Sequence, residues 1–145
     1  MKTYAATTVV PVARSQGEIR DMLLKRNATD LTFSERQDSF IVGFRAEGRS
    51  IVMRIPLPQR PSEKATQASI KTYEQLCRAR WRALVLCLKA KFVSIDSKVT
   101  TFEDEFLAHI HLPNGQTVGQ EMREHIDYAY TQGKMPQLLT FGGVS

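Results

Sequence analysis

Three short runs in the first half of the chain alternate apolar and polar positions with a period of two. They are Leu31 and Phe33 in TDLTFSER, Phe40, Val42 and Phe44 in FIVGFR, and Ile51, Met53 and Ile55 in SIVMRIP. Successive side chains of a strand point to opposite faces, so this period gives each run one apolar face. QDS and AEGR separate the runs as short turns, which predicts an antiparallel meander. Upstream, Thr7 to Val12 is rich in β-branched residues and carries Pro11, so it reads as a fourth, edge strand or an extended arm. Ser15 in S-Q-G-E then opens a helix. Glu18 takes the capping-box position, Ile19, Met22 and Leu23 follow at helical spacing, and Asn27 is the C-cap.

Beyond the proline-bracketed loop PLPQRPSEKATQ the period changes to that of a helix. Ile70, Tyr73, Cys77, Trp81, Leu84, Leu88, Phe92 and Ile95 recur at steps of three and four and fall in one arc of about 100°. This predicts a helix from roughly Gln67 to Ser97, about 45 Å long, with that arc toward the core and Trp81 packed within it. Thr101 caps a short helix in TFEDEFLAHI, and Asn114-Gly115 marks a turn in HIHLPNGQTV. Thr117 and Gln120 form a capping box for a last helix to about Tyr130, stopped by Gly133. Leu138, Leu139 and Phe141 in the tail are expected to dock on the body.

The class predicted is α+β: an N-terminal helix, a three-stranded antiparallel meander with a fourth edge strand as an option, one long helix and two short C-terminal helices. The 145 residues fit a single domain over the whole chain, 1–145, large enough to bury roughly 68–70% of its extended surface. Cys77 and Cys87 are ten positions apart on the long helix, too far along its axis for a disulfide. The start MKTYAATTVVPVARS has no apolar leader core, and no run approaches the 18 residues of a membrane span, so the expected setting is cytoplasmic with no membrane contact.

Charge changes this picture. The net +5 is concentrated in residues 64–98, which hold eight basic and two acidic side chains, whereas residues 99–145 hold two and six. On the long helix, Lys71, Arg78, Arg82 and Lys89 fall within about 40° of one another, a basic ridge on the flank of the apolar arc. Such a ridge can track phosphates, with Arg54 and its neighbours on the meander as a second basic contribution. It can equally meet an acidic protein surface, or pair internally with the acidic C-terminal third while its stems cover apolar surface. Ala79, Ala83 and Ala90, with Leu86 nearby, form a small-residue face on which another helix could lie closely. The oligomeric state is open, with a homodimer as one reading.

No nucleotide-binding, nucleophile-elbow or Cys-His pattern is present, so no cofactor is expected and the chain reads as non-enzymatic. Glu105, His109, His111 and His125 are spaced so that a divalent ion could be built from them, but no metal motif accompanies them, and hydrogen-bonded surface histidines are the simpler reading. Glu103, Asp104 and Glu105 suit a first helical turn.

The element order helix, three strands, helix resembles the double-stranded RNA-binding domain in topology. That family's basic cluster at the start of its second helix has no counterpart in SEKATQASIK. The stretches YAATTVVPVARSQGEI, IPLP, CRARWRALVLCLKAKF, FEDEFLAHIHLPNGQTVGQEM and AYTQGKMPQLL resemble a family of short uncharacterised phage and prophage proteins. The resemblance covers most of the chain, but the loop PLPQRPSEKATQ is shorter than in such proteins. It implies a bacterial cytoplasm during infection, among proteins that handle DNA or disarm the host. Two functions follow as expectations: non-enzymatic nucleic-acid binding through Lys71, Arg78, Arg82, Lys89 and Arg54, or protein binding, for instance inhibition of a host defence nuclease.

Overall fold

The computed structural model describes residues 5–136. Helix α1 (Val12–Leu24) leads into strands β1 (Thr29–Glu35), β2 (Ser39–Ala46) and β3 (Arg49–Pro56). Helix α2 (Gln67–Asp96), helix α3 (Phe102–Phe106), a 3-10 turn (Leu107–His109) and helix α4 (Val118–Gln132) follow. The fold is α+β, and the strands form one antiparallel sheet in the order β1-β2-β3.

Alternation in the strands decides the register. Phe33 faces Val42, Val42 faces Met53, and Phe44 faces Ile51, so the apolar positions of all three strands share one sheet face. Trp81 of α2 stacks on Phe40 of that face at 3.7 Å between ring centroids. Phe33 meets the same indole edge-on at 6.0 Å. Ile19 and Leu23 of α1, Leu84, Val85, Leu88 and Phe92 of α2, and Phe106 of α3 complete one buried cluster with the sheet.

Four expectations change. No fourth strand forms among the described residues, because Pro11, extended at φ −61°, leads straight into a helix that begins at Val12. Ser15 is therefore not a cap; it lies inside α1, fully buried, and Glu18 faces α2. The helix ends at Lys25, while Asn27 supplies a left-handed residue, φ +60°, in the turn to β1. Val85, outside the predicted arc, is wholly buried.

The remaining boundaries agree. Thr66 caps α2 by accepting from the Ser69 N–H, Thr101 caps α3 through the Asp104 N–H, and Thr117 with Gln120 closes a reciprocal capping box on α4. Gly133 ends α4 at φ +68°, a left-handed conformation in which a side chain would be strained. Both cysteines are free. The HIHLPNGQTV turn lies against β3, its His111 N–H donating to the Ser50 carbonyl at 2.8 Å. Leu138, Leu139 and Phe141 lie outside the described residues. Among the described residues, no helix is long and apolar enough to cross a membrane.

Candidate nucleic-acid interface

The ridge positions share a face because α2 is unbroken from Gln67 to Asp96. Helix α1 packs along the same flank and brings one carboxylate, Glu18, against it. The Arg82 guanidinium donates to Glu18 at 2.7 Å, with 19% of its side chain exposed. Lys89 Nζ lies 3.9 Å from the same oxygen, and Arg14, one turn before Glu18 on α1, lies 3.8 Å from the other. Three cations thus share one acid. The heads of Arg14 and Lys89 remain open, at 72% and 54% exposure.

Arg78, one turn before Arg82, donates twice to the Gln75 side-chain oxygen at 2.7 and 3.1 Å. That amide in turn donates to the carbonyls of Ala6 and Thr8 at 3.1 and 2.8 Å, so the segment entering α1 is tied to the ridge. Lys71 is exposed and takes part in none of the ion pairs among the described residues. Among the ion pairs of the described residues, Arg14, Arg82 and Lys89 thus meet the one carboxylate of Glu18, and Arg78 bonds a neutral amide.

Arg54 is elsewhere. It pairs in register with Ile41, so it stands on the sheet face opposite the core and away from α2. There it holds Asp38 at 3.1 Å and donates to the Ser39 hydroxyl at 3.2 Å. The Ser39 hydroxyl and then the Arg54 guanidinium hold the Asp38 carboxyl below its usual range. The structure brings Lys71, Arg78, Arg82 and Lys89 to one flank and separates Arg54 from them.

Nor does the acidic C-terminal third neutralise the ridge, as internal pairing had predicted. No ion pair among the described residues joins it to the ridge, and two of its carboxylates pair with other cations: Glu103 with Arg49 at 2.9 Å and Glu105 with Lys91 at 4.0 Å. The sequence pattern missed Arg14. The signal was present in the four-residue spacing of Arg14 and Glu18, which was hidden by reading Glu18 as a capping residue.

The histidines do not assemble. Among the described residues no group of three His, Cys, Asp or Glu side chains could hold a metal ion. His109 and His111 instead line a groove of about 620 Å³ with Arg54 and Arg123 on the outer side of the sheet. Burial first, and then the Lys91 charge, lower the pKa of His109. The chain matches no family model, no curated protein and no solved structure.

Proposed function

We propose that this protein binds nucleic acid without catalysing a reaction, through the α1–α2 surface of Arg14, Arg78, Arg82, Lys89 and Lys71, in the cytoplasm of a phage-infected bacterium. The observation that carries the reading is the sharing of Glu18 by three cations, because a surface evolved only to staple two helices needs one. Phosphates of a polyanion supply the missing counter-charges, with release of condensed cations.

The test is affinity against salt. Each phosphate contact contributes a slope of roughly −0.9 for duplex or −0.7 for single strands. Arg14→Gln combined with Lys89→Gln removes two exposed heads, and the slope flattens by about one to two units while the fold is retained. Arg82 is a poor target because its guanidinium anchors α2 to α1. Failure of every nucleic acid to bind below about 100 μM at physiological salt overturns the reading.

A second reading, a binder of a host or phage protein such as a defence nuclease, is favoured by the outer face of α2. There Leu76, Ala79, Ala83, Leu86, Ala90 and Val93 recur at alternating steps of three and four, with Leu76 43% and Val93 63% exposed. That is the spacing of a helix-docking seam. Recovery from bacterial lysate of one partner, lost on Ala83→Glu, supports it over nucleic-acid binding.

A further inference from the structure

Beside the basic ridge, the start of α1, the free edge of β1 and the middle of α2 enclose a cleft of about 820 Å³. That volume lies in the rough range of 300–1,000 Å³ used by small-ligand pockets. Its apolar walls are Val12, Phe33, Tyr73, Cys77 and Trp81. Arg78 lines it too, so the cleft opens directly onto the ridge.

Its polar groups are specific. The Tyr73 hydroxyl is buried and makes no well-formed hydrogen bond among the described residues, although the Arg60 guanidinium and the Cys77 thiol lie close to it. Native proteins rarely leave such a group unpaired, because its lost hydration goes uncompensated. Burial raises its pKa, as does Cys77, against the opposing Arg60 guanidinium, so it remains a protonated donor at neutral pH. Glu35 and Glu74 also line the cleft. Their charge disfavours an anion deep inside and leaves the Arg78 end as the place for one.

We propose that this cleft receives one base of a single-stranded nucleic acid, with the adjoining phosphate on Arg78 and the ridge. The inference rests on the nucleic-acid reading above. A flat ring fills the aromatic walls, a ring acceptor accepts a hydrogen bond from the Tyr73 hydroxyl, and an exocyclic amine can donate to Glu74 or Glu35. A purely apolar ligand would leave the hydroxyl unpaired. A paired base cannot enter, so duplex engages the ridge alone.

Trp81 is the only tryptophan in the chain and lines the cleft, so its emission reports occupancy. Three probes separate the possibilities: a 12-nucleotide oligodeoxycytidine, an abasic strand of the same length, and a 12-base-pair duplex. The expected result is a change in Trp81 emission with oligodeoxycytidine only, and affinity about tenfold above that of the abasic strand, the scale of one stacked base. Tyr73→Phe keeps the ring but removes the hydroxyl, and lowers that advantage about fivefold without altering abasic binding. Equal binding of base-bearing and abasic strands with unchanged emission overturns the cleft and leaves the ridge standing. Absence of binding by all three removes both.

Discussion

The molecule handles charge differently on its two sides. Around α3, two acids each have their own cation, Glu103 with Arg49 and Glu105 with Lys91, and these pairs join the C-terminal third to β3 and α2. Between α1 and α2, Arg14, Arg82 and Lys89 converge on Glu18 alone. One-to-one pairing consumes charge in holding elements together, whereas convergence leaves charge for something outside the chain. The difference is what singles out the α1–α2 surface for the proposed binding role, where the total number of arginines and lysines does not.

The largest test of this contrast removes the aromatic support beneath each side. Trp81→Ala, under the α1–α2 surface, and Phe106→Ala, under α3, each lower stability by roughly 3–5 kcal/mol in denaturant titrations, because both side chains are nearly or fully buried. Where enough folded protein remains, Phe106→Ala retains the salt dependence of nucleic-acid binding. Next, Glu18→Gln takes away the shared acid. Arg82, mostly covered, loses a charged acceptor at a cost of about 1–2 kcal/mol. Nucleic-acid affinity nevertheless rises and its salt slope steepens by up to one contact, a combination that a purely structural ion pair does not produce.

On the opposite side, Arg49→Gln alters stability by no more than about 0.5 kcal/mol and leaves the salt slope unchanged, since both partners are half exposed. The smallest effect is in pH. The folded pKa of His109 lies below its unfolded value of 6.5, so burial of the neutral ring carries no penalty above that pH. As pH falls from about 6.5 toward the folded pKa, the unfolded chain takes up the proton first and stability declines. His109→Gln removes that part of the decline in midpoints measured from pH 7.5 to 5.5.

Strand pairing and the core face of α2 were legible because both follow from local period: Phe40, Val42 and Phe44 on one side of a strand, Trp81, Leu84 and Leu88 on one side of a helix. Val85 was not. Packing of α1 along the flank of α2 widens the buried arc toward it, and such a contact leaves no mark on the period of α2 itself. The start of α1 was misread for a related reason: S-Q-G-E satisfies the cap pattern, yet Pro11 already sets an extended boundary four residues earlier. The ridge positions were readable from helical geometry, but their counter-charge was not, since Glu18 lies 64 residues from Arg82 in sequence and meets it only through tertiary packing.

Helix α4 is well capped at both ends, yet none of its 15 residues is buried, and it rests chiefly on the 3-10 turn after α3. Caps fix where a helix begins and stops, but they give little free energy against opening of the whole segment. Its amides are therefore accessible through a local excursion that leaves the sheet and α2 intact, whereas those around Leu84 and Leu88 are released only by global unfolding. In hydrogen exchange, α4 should label orders of magnitude sooner than the centre of α2, making the C-terminal helix a separately opening unit.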